Sequence, residues 1–351
     1  MAHKVVNRST PGILKCMALA QVRDVAKLAG VSPATVSNAL NHPERVSAST
    51  RQRIQEAIDE LGYVRNDAAR QLRAGSNRAV GMILLDVGNP FFAEVARGAE
   101  NQLTTSHRPL LLSNSNQDAE REAAQLGLFE EQRLAGVLVT PVGNVLHRLR
   151  RLKERGTAVV IVDRKTGADE FSSVSVDDKL GGRLAVDHLL ERGRQHIAMV
   201  GGPQNLRQIK HRLQGAQQRV QQSDSATLTF HETPTTDVAA GRLATLDILA
   251  KPRSTRPDAI FAANDLIALG VLQELVRAGV SVPDDIALIG YDNIQFSASA
   301  TTPITSIRQP AEEMGSRAAE LLCDVIDKPG APVQHTVFQP EIVVRESTTG
   351  A

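Results

Sequence analysis

A chain of 351 residues is too long for one ordinary core and has to bury two or three. Its 42% hydrophobic and 23% charged residues suit a globular protein, and no apolar run reaches the ~18–20 residues of a membrane span. The net charge of +1 hides a division: residues 1–78 hold twelve Lys and Arg against six Asp and Glu, and the remainder is net acidic. A basic head suited to phosphate thus precedes a mildly acidic body. Cys16 and Cys323 lie far apart, which excludes a disulfide framework or a cysteine metal cluster and fits a reducing cytoplasm.

Residues 1–16 lack periodicity and read as a disordered extension. The stretch Ile13–Ala20 is broken by Lys15 and is too brief for a secretory leader. Val22–Ala29 then reads as a helix with Val22, Val25, Ala26 and Ala29 on one face. Gly30 permits a sharp turn, Val31 plugs it, and Ser32 before Pro33 is a hydroxyl N-cap followed by proline at the first helical position. The second helix, Pro33–Leu40, turns Val36, Ala39 and Leu40 inward and leaves Ala34, Thr35, Ser37 and Asn38 on the outer face. Ser47 starts a third helix at Ala48–Leu61 and Gly62 closes it. Helix, tight turn and polar-faced helix is the helix-turn-helix plan, whose second helix enters the major groove. The competing reading is a plain three-helix bundle, which demands neither this turn chemistry nor this charge.

The runs VRDVAKLAGVSPATVSNALN, VSASTRQRIQEAIDELGY and NDAARQLRAGSNRAVGMILLD resemble the lactose-repressor (LacI/GalR) family, and the resemblance extends from Met17 almost to the C-terminus. It implies a cytoplasmic, sequence-specific transcriptional regulator, not an enzyme, that needs no cofactor and binds a near-palindromic operator as a homodimer. Its other partner would be a small polar effector. Operator contacts then fall to Ser32, Pro33, Ala34, Thr35, Ser37, Asn38 and Asn41. Many members carry larger polar groups where this chain has Pro33 and Ala34, and Arg or His where it has Asn38. Asparagine can pair with adenine, but these short side chains leave the operator sequence open. The segment 66–73 is helix-compatible yet too short to be stable alone. The resemblance makes it a hinge helix, with Leu72 as a minor-groove wedge, Ala69 beside it, and Arg70 and Arg73 on phosphates.

Beyond Asn77 the pattern becomes strand–helix alternation. AVGMILL, a helix near 91–104, PLLLS, a helix over 118–133, GVLVT, a helix near 144–155 and AVVIV form one series. A helix at 178–192, HIAMVG, a helix near 208–222, a strand around 227–230, a helix near 238–250, DAIFA, a helix at 265–278 and IALIG form the other. Such alternation predicts two doubly wound parallel sheets covered by helices. The expected fold class is an all-α helix-turn-helix head plus an α/β, two-lobed body like the periplasmic binding proteins. The expected divisions are 17–65 for the head, 66–78 for hinge and linker, 79–345 for the body and 346–351 for a tail. Within the body, the first lobe spans about 79–177 and 306–336, and the second about 178–305 and 337–345.

Ligands in such sheets sit at the carboxyl ends of strands. Loops there supply Asp86, Asn89, Phe91 and Phe92, then Asp163 and Arg164, Arg212, Asn264 and Asp265, and Tyr291, Asp292 and Asn293. The resemblance assigns Arg212, Asn264 and Asp292 to effector binding, and Asp163 with the Phe91–Phe92 pair to the pocket wall. Carboxylates and amides bind vicinal hydroxyls, and a phenyl face covers the apolar side of a sugar ring. Duller roles compete: Asn264 and Asp265 also make a helix cap, the phenylalanines also plug a lobe edge, and Asp292 also caps a turn. No GxSxG, GxxxxGK[ST] or HExxH motif is present, and His188, His196, His211 and His231 share no ligand spacing, so neither catalysis nor a metal is expected. A secreted sugar-binding protein would share the body but not the basic head. The loop Leu206–Lys210 departs from the purine-responsive members, which points to a sugar effector, with a nucleoside or purine as the alternative.

Overall fold

The computed structural model describes residues 20–63, 77–143, 145–165, 167 and 170–350. They belong to two compact units, one within residues 1–75 and the other within 76–351. The expected extension 1–16 and hinge helix 66–73 lie outside the described residues, and with the hinge go Ala69, Arg70, Leu72 and Arg73.

The first unit is built from α1 (Val22–Ala29), α2 (Pro33–Asn41) and α3 (Ala48–Leu61). Each boundary follows from local chemistry. The Asp24 carboxylate accepts the Gln21 backbone N–H at 2.8 Å and so opens α1. Gly30 closes it at φ 64°, a left-handed value that glycine adopts without strain. Ser32 Oγ accepts the Thr35 N–H at 3.1 Å, and Ser47 Oγ accepts the Thr50 N–H at 3.3 Å. The core is small: Val25, Ala26, Ala29, Val36, Ala39, Ile54 and Ala57. With so little apolar surface to bury, the caps carry a large share of the stability.

In the second unit, β1 (Val80–Leu84), α4 (Pro90–Thr105), β2 (Leu110–Asn114), α5 (Ala119–Glu131), β3 (Gly136–Val139), α6 (Leu146–Glu154), β4 (Ala158–Val162) and β5 (Ser172–Val176) alternate along the first lobe. The second lobe holds α7 (Asp178–Glu191), β6 (His196–Gly201), α8 (Arg207–Val220), β7 (Thr227–Glu232), α9 (Val238–Leu249), β8 (Ala259–Ala262), α10 (Asp265–Arg277), β9 (Ala287–Asp292), α11 (Gln295–Ala298) and β10 (Thr305–Arg308). The chain then returns to the first lobe for α12 (Ala311–Asp327) and β11 (His335–Phe338), and ends in the second with β12 (Glu341–Val343) and α13 (Glu346–Thr349). The sheet orders are β11-β5-β4-β3-β1-β2 and β12-β10-β9-β8-β6-β7. Every pairing is parallel except β10 with β12.

Several details differ from the sequence expectation. Strand β5, SSVSV, reads as polar, yet all five residues are buried. Its serines find partners on the returning segment: Ser172 Oγ accepts the Gln334 N–H at 3.1 Å, and Ser173 Oγ lies 2.8 Å from His335 Nδ1. Thr305–Arg308 pairs with β9, so the return to the first lobe comes after Arg308 and not at 306. Strand β11 extends the first sheet through Phe338. The expected tail is folded: Ser347 and Thr348 are buried, and Ser347 Oγ accepts the Thr305 N–H at 2.8 Å. Thr348 Oγ1 meets Thr305 Oγ1 at 2.7 Å and His188 Nε2 at 2.8 Å.

Glycines set how closely the covering helices pack. A Cβ on Gly182 of α7 would stand 2.0 Å from the Arg212 carbonyl oxygen, and one on Gly215 of α8 would stand 1.9 Å from that of Lys179. Only glycine fits at both places, and the close approach carries Arg212 to the start of α7. The first lobe repeats the arrangement: Gly98 of α4 faces the Glu312 carbonyl, and Gly315 of α12 faces that of Val95.

Candidate functional site

Helix α2 presents its polar face outward. Ser32, Pro33, Ala34, Asn38 and Asn41 are exposed, while Thr35 and Ser37 are half-buried. Ser32 is committed to its cap and lies 2.8 Å from Thr35 Oγ1, and Asn41 Nδ2 donates to Ser37 Oγ at 3.3 Å. The face therefore offers short side chains that permit close approach of the helix to a surface.

The polar cluster of the second unit is built around Arg212, in the second turn of α8. Its Nε donates to Asp178 Oδ1 at 2.8 Å and its Nη1 to the Ala263 carbonyl at 2.7 Å. Asp292 Oδ1 lies 3.7 Å from the same Nη1, and the guanidinium stacks 3.6 Å from the centre of the Tyr291 ring. Tyr291 in turn donates its hydroxyl to Asp178 Oδ1 at 3.2 Å. All four side chains are buried. Burial works against the arginine's charge, but Asp178, followed by Tyr291, Asp292 and Asp163, outweighs it, so the proton is held more tightly than on a free arginine.

Asp292 ends β9 at φ 99° and Asp163 follows β4 at φ 59°, strained values for residues other than glycine that aim both carboxylates from the strand ends. Asp292 Oδ1 accepts from Gln309 Nε2 at 2.7 Å and Oδ2 from Asn89 Nδ2 at 2.9 Å. Asp163 Oδ2 accepts from Gln208 Nε2 at 3.1 Å. Gln117 Nε2 donates to Thr236 Oγ1 at 3.0 Å. The bonds of Asn89, Gln208 and Gln117 all cross from one lobe to the other. Burial raises the pKa of both carboxyls. For Asp163 the neighbouring Asp178 and Asp292 add to the rise, against the opposing pull of Arg212. Asp163 Oδ1, Thr140 Oγ1 and Gln309 Oε1 are buried and have no hydrogen-bond partner. Buried polar atoms left in this way cost about 1–3 kcal/mol each, and these sit at or just beyond the carboxyl ends of β4, β3 and β10. That is where a polyhydroxylated ligand would find donors and acceptors.

Of the residues singled out from sequence, Asn89, Asp163, Arg212 and Asp292 come together in this cluster. Asn264 acts largely as a cap: its Oδ1 accepts the Ile267 N–H at 2.9 Å, and its Nδ2 donates to the Thr236 carbonyl at 2.9 Å. Phe91 and Phe92 pack edge to face, 5.0 Å between centres, within the core. Asp86 folds back on its own loop, accepting the Gly88 N–H at 2.8 Å. Sequence reasoning passed over Asp178, Gln309, Gln117 and Thr236 as candidate site residues, and met Gln208 only within the loop Leu206–Lys210. Asp178 looked like an ordinary helix start, and Gln309 lies at a crossover that no local pattern marks. Among the described residues, no group of three or more His, Cys, Asp or Glu could hold a metal, and no helix is long and apolar enough to cross a membrane.

Residues 21–66 match the bacterial regulatory proteins of the lacI family, and residues 186–348 match the periplasmic binding protein-like domain. The chain is 34% identical over 337 residues to the HTH-type transcriptional repressor PurR of Aliivibrio fischeri, covering 94% of this chain and 99% of the relative. It is 33% identical over 332 residues to the ribose operon repressor of Bacillus subtilis, covering 94% and 99%. A solved LacI family transcriptional regulator from Enterococcus faecium, with bound ribose, superposes with a TM-score of 0.71 at 28% identity, covering 78% of this chain and 99% of that one. Those relatives run through both the helix-turn-helix head and the two-lobed body, so the chain belongs, over nearly its whole length, to the lacI family of bacterial regulatory proteins.

Proposed function

We propose that the protein is a cytoplasmic, homodimeric transcriptional repressor that binds a near-palindromic operator through α2 and is switched by a sugar held between its lobes. The observation that carries the effector reading is the buried Asp178–Arg212–Asp292 network beside the unpartnered Asp163 Oδ1. A guanidinium flanked by carboxyls, with a spare acceptor at the next strand end, matches the adjacent hydroxyls of a sugar. The ribose-bound relative and the ribose operon repressor support the same class.

A ligand that binds both lobes favours the arrangement in which they touch, and can shift the protein only by that difference in affinity. A thermal-shift screen of pentoses, hexoses, nucleosides and purine bases tests the class. A hundredfold excess over Kd stabilises by about 2.7 kcal/mol, enough to move the transition visibly. The PurR relative favours a second reading, a purine effector. A shift with purine bases and none with sugars would establish it.

A further inference from the structure

The hydrogen bond from Gln208 to Asp163 brings two further residues to the same place, one on each lobe. Arg164 follows Asp163 beyond β4, and Arg207 precedes Gln208 in the first turn of α8. Arg164 gives Nη1 to the Gly143 carbonyl at 2.9 Å, while its Nε is buried with no hydrogen-bond partner. Arg207 is exposed. Among the described residues neither is ion-paired. Burial, and then the charge of Arg207, hold the Arg164 pKa below its ordinary value, so the two guanidiniums sense each other across the cleft.

Glu122 is the acid near enough to act on Arg164. Burial raises the pKa of Glu122 itself, and its Oε2 accepts the Val142 N–H at 2.7 Å. Lys210, one turn after Arg207, is also exposed. Two like charges facing across touching lobes oppose the contact, and a dianion between them would reverse the sign of that interaction.

We propose that the effector is a phosphate monoester of a sugar, whose phosphate bridges Arg164 of the first lobe and Arg207 of the second while its hydroxyls meet Asp163, Arg212 and Asp292. This rests on the sugar reading above. A monoester carries about −1.5 to −2 charges near neutral pH and three strong acceptor oxygens, which matches two guanidinium forks. A carboxylate supplies one charge and two oxygens and would satisfy one fork. The bridge also gives the ligand a second grip on each lobe, outside the sugar ring, which makes binding still more sensitive to whether the lobes touch.

Calorimetry on the full-length protein with ribose, ribose 5-phosphate, glucose and glucose 6-phosphate tests this. Sodium phosphate, compared with sodium chloride at matched ionic strength, is the probe for the anion alone. At least one sugar phosphate should bind about tenfold or more tightly than its parent sugar, the size of a charge-assisted contact. Arg207→Gln alters an exposed residue and should fold; it should bring the pair to within about twofold and remove any thermal shift by phosphate, while Arg207→Lys keeps part of the gain. Equal affinity for parent and phosphate, or a gain that survives Arg207→Gln, overturns the bridge and leaves the sugar reading standing. Binding of none of the four compounds overturns both.

Discussion

Asn89 serves both lobes at once: its Oδ1 accepts the Phe91 N–H at the start of α4, and its Nδ2 holds Asp292 of the other lobe at 2.9 Å. Asn89→Asp separates the two roles. Aspartate caps a helix as well as asparagine does, so the first lobe should keep its stability. The new carboxyl would face Asp292 without a donor, and the repulsion should part the lobes. Effector affinity should fall about tenfold or more, with a much smaller effect on the melting temperature. Titration calorimetry together with small-angle scattering checks both. An unchanged affinity would mean that the Asn89–Asp292 bond does not govern the contact.

Asp265 makes the body's stability depend on pH. It is fully buried, accepting from Ser306 Oγ at 2.7 Å and from the Ile294 N–H at 2.9 Å. Burial first, then the charge of Asp292, pushes its pKa from 3.8 up to about 7. The folded state therefore keeps a proton that the unfolded chain releases near pH 4. The stability this confers is fully present below that pH and is lost as pH rises through about 7. Asp163 and Asp292 are shifted in the same direction. The melting temperature should fall from pH 5 to pH 8, and Asp265→Asn should remove about one proton's worth of the slope, roughly 1.4 kcal/mol per pH unit. Parallel slopes for the variant and the parent would contradict the assignment.

Both lobes leave apolar side chains in water. Leu111 and Leu112 lie on the edge strand β2, 45% and 55% exposed, and Leu243 and Leu246 lie on α9, 62% and 50% exposed. Unpaired edges and apolar faces of this kind are commonly covered by another chain. The homodimer proposed above would cover them. Replacing Leu112 and Leu246 together by Glu should convert dimer to monomer at micromolar concentration, as read by light scattering. A double variant that remained dimeric would move the interface elsewhere.

The hinge reading of 66–73 concerns residues outside those described, and it makes its own prediction. Leu72→Ala should weaken binding to an operator selected from a random library by about tenfold or more, because insertion of an apolar wedge is lost. Affinity for unselected duplex, which rests on phosphate contacts, should change little. Equal losses on both duplexes, measured by fluorescence anisotropy, would make Leu72 a structural residue instead.

The head could be read from the sequence because its signals are local. Gly30, the Ser32–Pro33 pair, Ser47 and Gly62 each fix an end of a helix by their own chemistry. Asp163 and Asp292 could be found because strand–helix alternation locates strand ends, whereas Arg212, inside α8, was assigned only by the family resemblance. Strand β5 was hidden because its serines are satisfied by residues some 160 positions away. The folded end at Ser347 and Thr348 was hidden for the same reason, its partner Thr305 lying 42 and 43 positions away, and Gln309 because it sits at a lobe crossover that no local pattern marks. Asn264 and the phenylalanine pair do take up the local roles the sequence also offered, a cap and a core contact, because those partners are within immediate reach.

The glycine contacts between helices have a mechanical consequence. Backbone lies against backbone at Gly98 and Gly315 in one lobe and at Gly182 and Gly215 in the other, and the same holds where Gly241 of α9 meets the Ile267 carbonyl of α10. Such seams have no side chain to yield, so each lobe is a stiff plate. Slack is then confined to the chain crossings after β5, β10 and β11, like pins in a door hinge. A force applied at the rim of the cleft would travel across a plate undiminished, and a change of ligand could be accommodated by new side chains at strand ends without altering how the plates turn.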